Sequence, residues 1–156
     1  CFGGFGQQGY GYNVSNLTGE IKRIMGIDRK HTIIIVGAGN IGHALTNFPG
    51  FAETGFEVKA LFDVNEDLIG TEIKGHPVLD VKDMDEYIRE NQIDIGVIAA
   101  RRSAAQEIAD RMCAAGIRGI WNFVPLDITT SVPIENVHLS ESLSTLSYKI
   151  EHGLLD

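Results

Sequence analysis

The stretch HTIIIVGAGNIGHAL, residues 31–45, decides the fold of this chain. Residues 32–36 form a run of apolar or β-branched side chains, which is typical of a buried strand in a parallel sheet. The run leads into Gly37, Gly39 and Gly42, a G-x-G-x-x-G pattern. In such a pattern the first glycine permits a tight turn, the second lets the backbone approach a diphosphate, and the third lets helix and strand pack closely. The stretch therefore predicts a strand, a phosphate-binding turn and the start of a helix.

An acidic residue stands where a dinucleotide site needs one. Asp63 ends the strand pattern FEVKALFD, residues 56–63, about 20 residues beyond the glycines. A carboxylate at this place accepts hydrogen bonds from ribose hydroxyls and repels a 2′-phosphate, which favours NAD(H) over NADP(H). The alternative is that Asp63 only caps a loop. Because strand, glycines, helix and acid occur together, we favour the nucleotide interpretation.

Strand and helix patterns alternate through the chain from residue 27 to residue 135. This alternation predicts an α/β fold, a Rossmann-like doubly wound parallel sheet with helices on both faces. Besides the two strands already named, strands are predicted at 93–100, 117–123 and 133–139, and helices at 81–91 and 103–116, the second helix ending at Gly116. His76 begins the short segment HPVL and is predicted to lie in a loop.

The C-terminal part, residues 136–156, predicts the last strand and a helix capped by Ser140. A single helix needs a surface to cover an apolar stripe, and both the chain's own sheet and a partner chain are candidates. The stripe residues recur at steps of four, three and four: Leu139, Leu143, Leu146 and Ile150.

The N-terminal part, residues 1–26, has a different character. CFGGFGQQGYGYNV, residues 1–14, combines glycines with alternating large side chains, a pattern that indicates a hairpin. Residues 15–26 have the spacing of one apolar helix face. A hairpin and one helix are too small to bury their own core, so we expect them to be the end of a truncated domain.

Composition sets limits on function. The 156 residues are 44% hydrophobic and carry a net charge of −8, which indicates a globular chain and argues against a nucleic-acid surface over most of it. Cys1 and Cys113 form no disulfide or ligand pattern, which favours a reducing, cytoplasmic location. No apolar run approaches the length of a transmembrane helix, so we expect no membrane partner.

The sequence contains few candidates for catalysis. His43, on the first turn after the glycines, is interpreted as a solvated side chain, and neither a serine nucleophile motif nor metal-ligand spacing is present. The residues after NFVPLDI are too few for a substrate domain. We therefore expect a sensor and not an enzyme, in which binding changes shape without turnover. The pair Arg101-Arg102 follows the third long strand, where an open sheet receives its ligand, although a solvated helix start is an equal alternative.

Three stretches resemble the redox-sensing transcriptional repressor family Rex. FGGFGQQGYGYNV, with the following EIKRIMG, resembles the wing hairpin and linking helix of the Rex winged-helix DNA-binding domain. IIIVGAGNIGHAL resembles its cofactor loop, and NFVPLDI with LSTLSYKI resembles its fifth strand and C-terminal helix. The first and last of these stretches are far more specific than the glycine pattern.

The resemblance implies a mechanism. A Rex protein is a homodimer that binds operator DNA when NAD⁺ dominates. NADH binding closes the two Rossmann domains against each other and releases the DNA, so NAD(H) is an effector ligand. The resemblance further implies a domain-swapped C-terminal helix, and it implies that operator DNA is bound through an N-terminal domain of which this chain holds only a winged-helix remnant.

The resemblance and the glycine pattern together give a set of cofactor-binding residues. In two places the chain departs from the family: Ala99-Ala100-Arg101 stands where members often have Thr-Val-Pro, and His138 stands where they often have Asp. A histidine at that place makes altered or pH-dependent coupling an expectation. The predicted set is Gly37, Ala38, Gly39, Asn40, Ile41, Gly42, Asp63, Ala99, Ala100, Arg101, Asn122 and Phe123.

Two other classes of function remain open. One is a Rossmann-fold enzyme subunit, or a CoA- or sugar-nucleotide-binding domain, that acts with another chain. The other is a free-standing nucleotide-binding interaction module. Turnover of NADH with an acceptor would distinguish an enzyme from a sensor.

Overall fold

The computed structural model describes residues 30–155, and the predicted hairpin and helix of residues 1–26 lie outside the described residues. No helix in this described part is both long and apolar enough to cross a bilayer. The strands are β1 (His31–Val36), β2 (Phe56–Asp63), β3 (Glu72–Ile73), β4 (His76–Asp80), β5 (Ile95–Ile98), β6 (Gly119–Asn122) and β7 (Ile134–Asn136). The helices are α1 (Asn40–Thr46), α2 (Gly50–Glu53), α3 (Met84–Asn91), α4 (Arg102–Ala115) and α5 (Leu139–Glu151), with a 3₁₀ turn (Val81–Asp83) before α3.

The strands form one sheet in the order β3-β4-β2-β1-β5-β6-β7. All neighbouring strands are parallel except β3 and β4. β1 lies at the centre, β2 extends the sheet to one side and β5 to the other, so the winding direction reverses between β1 and β5. The carboxyl ends of the strands at such a reversal form the crevice in which open α/β sheets bind ligands. The predicted Rossmann-like doubly wound parallel sheet is confirmed.

Apolar side chains bury both faces of the central strand. Ile34 and Val36 of β1 belong to the cluster that α3 and α4 complete. Ile33 and Ile35 belong to the opposite cluster, which residues of α1 and α2 border. Each fully buried isoleucine contributes about 1.5–3 kcal/mol relative to an exposed one, so β1 is a rigid support for the loop that follows it.

Two local predictions are wrong. His76 lies in β4 and not in a loop, because Lys74 and Gly75 form a two-residue turn that pairs Ile73 with His76 in a hairpin. Both turn residues have positive φ, 51° and 84°, and the usual signal for such a turn is Asn-Gly rather than Lys-Gly. Ser140 does not cap α5, since the helix already begins at Leu139 with a hydrogen bond from the Ser142 N–H to the carbonyl of His138.

Candidate nucleotide-binding site

The glycine loop follows β1 directly at the crevice. The chain turns at Gly37 with φ of 113°, and the Gly37 N–H donates to the Phe62 carbonyl at 2.7 Å. A Cβ on Gly37 would overlap the Ala99 carbonyl, and a Cβ on Gly42 would overlap the carbonyl of Gly37. A Cβ on Gly39 would meet no atom within 4 Å. Gly37 and Gly42 are therefore required by packing, whereas Gly39 leaves open space above the backbone.

Asp63 connects the end of β2 to this loop. Its Oδ2 accepts a hydrogen bond from the Ala38 N–H at 2.7 Å, and its Oδ1 accepts one from the Asn65 N–H at 2.9 Å. The side chain thus caps the loop after β2, which was the alternative interpretation of this residue. Asp63 also lines a cleft at the carboxyl edge of the sheet. Each of its carboxylate oxygens has a further lone pair that can accept a hydrogen bond from a ligand hydroxyl.

The first cleft lies at the carboxyl ends of β1, β2 and β5, against the first turns of α4. Its volume is about 1000 Å³, at the upper end of the range for small-molecule sites. Asp63 and Val64 lie at one side of it, and Arg101 and Ser103 at the other. The predicted residues that line it are Gly37, Gly39, Asp63, Ala99, Ala100 and Arg101.

The second cleft lies beside the first, with a volume of about 480 Å³. Ile41 and Phe123 are the predicted residues that line it, and Arg102 borders it next to the first cleft. Its far wall is the start of α5, where His138 and Glu141 lie with Nδ1 and Oε2 3.8 Å apart. Both clefts lie along the carboxyl edge of the sheet, and the neighbouring residues Arg101 and Arg102 line one cleft each.

The Arg101-Arg102 pair starts the 14-residue helix α4. Arg101 is its N-cap residue in extended conformation, and both arginines are exposed. Arg101 lines the first cleft and Arg102 the second, and both are exposed as a solvated helix start requires, so a ligand contact at this pair stays a prediction. The free N–H groups of a helix N-terminus and two guanidinium groups make this the favoured place for a ligand's anionic groups.

Four predicted residues do not line either cleft. Ala38 gives its N–H to Asp63, Gly42 is buried in packing, and Asn40 begins α1. Asn122 is fully buried, and its side-chain amide forms hydrogen bonds to Val124, Leu126 and Asn136. It supports the wall of the second cleft, and its place among the cofactor-binding residues stays a prediction.

The sequence reasoning missed the contribution of α4 to the first cleft. Ala104, Ile108 and Arg111 lie on the cleft side of this helix, and their spacing of four and three was the signal that could have found them. The Arg111 guanidinium donates to Asp85 Oδ1 at 2.9–3.0 Å and to the Val81 carbonyl at 2.7 Å. Arg111 therefore joins α4 to the 3₁₀ turn that borders the same cleft.

Three residues of the apolar stripe of α5 are exposed. Leu143, Leu146 and Ile150 retain 69%, 53% and 70% of their accessible surface. The alternative in which these residues pack on the chain's own sheet is therefore wrong. Among residues 30–155 no cluster of three or more His, Cys, Asp or Glu side chains is arranged to hold a metal.

Comparisons with known proteins agree with this geometry. Residues 28–126 match the family described as CoA binding domain. The redox-sensing transcriptional repressor Rex of Clostridioides difficile (strain 630) is 51% identical over 154 residues, which is 97% of this chain and 73% of that protein.

Two solved structures are similar in both fold and sequence. The structure of RSP in complex with β-NAD⁺ and operator DNA has a TM-score of 0.85 and 46% identity, and covers 97% of this chain and 71% of that one. The structure of RSP in complex with β-NADH has a TM-score of 0.83 and 42% identity, over 91% of this chain and 70% of that one. With identity at this level over nearly its whole length, this chain belongs to the Rex family of redox-sensing transcriptional repressors.

Proposed function

We propose that this chain senses the NADH/NAD⁺ ratio for a transcriptional repressor and binds NAD(H) as an effector in the two clefts. The observation that carries the proposal is the contrast among the glycines. Packing excludes side chains at Gly37 and Gly42, while open space above Gly39 leaves room for a diphosphate close to the backbone.

In this proposal each part of the dinucleotide has its own place. The ribose of the adenosine half is held by Asp63, whose charge disfavours a 2′-phosphate and so favours NAD(H) over NADP(H). The diphosphate lies between Gly39 and the start of α4, near Arg101. The nicotinamide half extends into the second cleft toward Phe123. Asn122 supports that end from within the core.

We further propose a regulator and not an enzyme, in the form of a cytoplasmic homodimer that acts on operator DNA. The repressor name of the 51%-identical relative and the operator complex of RSP support this. The exposed stripe of α5 supports the dimer, because a second copy would cover it. NADH then releases DNA by changing how the two copies are arranged.

A titration that follows Trp121 fluorescence tests the proposal. The Trp121 and Phe123 rings are 4.7 Å apart, so a ligand against Phe123 alters the surroundings of the indole. We expect NADH to quench this fluorescence strongly, with weaker effects of NAD⁺ and NADPH in competition. Equal affinities for NADH and NAD⁺ would refute redox sensing while leaving dinucleotide binding intact.

One second candidate has an observation of its own. The match of residues 28–126 to the CoA binding domain family favours a domain that binds CoA. CoA is therefore included in the same titration. Tight binding of CoA with no response to NADH would favour that candidate over the sensor.

A further inference from the structure

The buried amide of Asn122 joins three parts of the chain. Its Oδ1 accepts from the Val124 N–H at 2.9 Å, and its Nδ2 lies 3.0 Å from the Val124 carbonyl and 3.2 Å from that of Leu126. The same Nδ2 donates to Asn136 Oδ1 at 3.0 Å. The amide nitrogen has two N–H donors, so the three acceptors share two protons. The orientation of the Asn122 side chain is therefore fixed. In the described part of the chain, Asn122 is the polar residue of the buried core.

The partners of this amide lie on both sides of the second cleft. Phe123, which precedes the bonded segment, and Leu126, which ends it, line the cleft on one side. Asn136 ends β7 opposite Asn122, and the next N–H, of Val137, donates to the Asn122 carbonyl at 2.8 Å. Val137 and His138 line the other side, immediately before α5. Asn122 thus connects the wall of the cleft to the strand that leads into α5.

A second amide fixes the loop between these two ends. Gln106 of α4 accepts from the Thr129 N–H at 3.0 Å and donates to the Thr129 carbonyl at 2.8 Å. This pair of bonds holds the middle of the loop against α4. The middle of the loop is thus bonded as well as its ends, and the Asn122–Asn136 bond is a direct side-chain link between the Val124 segment and β7.

We propose that Asn122 is a positioning residue that transmits the occupancy of the second cleft to α5 through Asn136. The inference rests on the proposed function, since the ligand group against Phe123 is the nicotinamide end of the dinucleotide. The ligand fixes the Val124–Leu126 segment, the amide fixes Asn136, and the orientation of α5 follows from the end of β7. Because α5 carries the exposed stripe, this connection links the ligand to the surface that a second copy covers.

The variant Asn136→Ala tests the connection without touching the cleft. It removes one acceptor from the Asn122 amide at an exposed position, and the bonds to Val124 and Leu126 remain. Hydrogen exchange of the α5 amides is measured with and without NADH, and NADH affinity is measured by Trp121 fluorescence. We expect affinity within about twofold of the unaltered chain, and loss of at least about half of the NADH-dependent change in α5.

Two further variants make the test specific. Asn136→Asp keeps an acceptor oxygen opposite the Asn122 amide, so we expect it to restore the NADH-dependent change in α5. Glu135→Ala changes the neighbouring exposed residue of β7 and should behave as the unaltered chain. If Asn136→Ala fails to fold, the same comparison is made with Asn136→Ser, whose hydroxyl is too short to replace the bond.

The outcomes separate this inference from the proposed function. Normal NADH binding with an undiminished response of α5 in Asn136→Ala overturns the role of Asn122. Normal NADH binding with no response of α5 in the unaltered chain overturns it too. Failure of the unaltered chain to bind NADH overturns the proposed function, and this inference with it.

Discussion

At the scale of single residues, Gly39 and Gly42 differ in what a methyl group would meet. A Cβ on Gly42 overlaps the Gly37 carbonyl, whereas a Cβ on Gly39 has no neighbour within 4 Å. We predict that Gly42→Ala lowers the free energy of unfolding by about 2 kcal/mol, because overpacking a backbone contact forces the loop to shift. Gly39→Ala should leave stability nearly unchanged and lower NADH affinity, because its methyl group occupies the space of the diphosphate.

The two variants serve as controls for each other. Urea denaturation measures stability, and the Trp121 titration measures affinity, for both. If Gly39→Ala binds NADH as tightly as the unaltered chain, the diphosphate does not lie over this glycine and the placement of the ligand is refuted.

The glycine loop could be predicted from sequence because its constraints are local. The spacing of Gly37, Gly39 and Gly42 encodes a turn, an open backbone and a packing contact, and the structure has all three. The buried hydrogen bonds of Asn122 could not be predicted, because its partner Asn136 is brought beside it only by the pairing of β6 with β7. The sequence shows that a residue carries a polar side chain. The neighbouring strands decide whether that side chain faces a ligand or the core.

At the scale of strands and helices, Asp94 fixes the starts of β1 and β5. Its Oδ2 accepts from the Thr32 N–H at 3.0 Å, and its own N–H donates to the Thr32 hydroxyl at 3.1 Å. Partial burial acts to raise the pKa of Asp94, but the Thr32 N–H and the Arg118 guanidinium outweigh it, and the pKa lies below its usual value. The ionised carboxylate therefore stabilises the central pair of strands.

This lowered pKa predicts the pH dependence of stability. The contribution of such a carboxylate is complete above its unfolded-state pKa of about 4 and is lost as the pH falls through the folded-state pKa. We predict that Asp94→Asn lowers the free energy of unfolding by about 1–2 kcal/mol at pH 7, with a smaller difference at about pH 3. Urea denaturation at both pH values checks this, with the exposed Asp67→Asn as a control. An equal loss at both pH values would show that charge is not the cause.

Patterns along the chain predict elements better than they predict short turns. The strands and the helix α4 follow from apolar runs and spacing, and Gly116 ends α4 with φ of 101° as expected. The hairpin of β3 and β4 was missed because Lys74 carries no turn signal, and its positive φ is imposed by strand pairing. Burial selects the apolar residues of a long strand or helix, so such an element is visible in the sequence. The conformation of a two-residue turn depends on the pairing of the strands that it connects.

At the scale of the whole molecule, the chain combines a cleft with a helix that nothing in the described residues covers. Leu143, Leu146 and Ile150 are all more than half exposed. An apolar surface of this kind is typical of a site that contacts another chain. A self-complementary contact between two copies would let a ligand in each cleft act on the arrangement of both.

Charge on the apolar stripe should therefore disrupt assembly and spare binding. We predict that Leu146→Glu weakens self-association at least about tenfold, because it places a charge in an apolar contact. Ser144→Glu adds the same charge on the opposite side of α5, at an exposed residue, and should leave self-association unchanged. Sedimentation equilibrium measures the self-association of both variants, and the Trp121 titration shows whether each still binds NADH.

If Leu146→Glu associates as strongly as the unaltered chain, the dimer does not use this stripe. If it loses NADH binding together with assembly, the cleft is complete only in the dimer, and the ligand and the second copy stabilise one arrangement jointly.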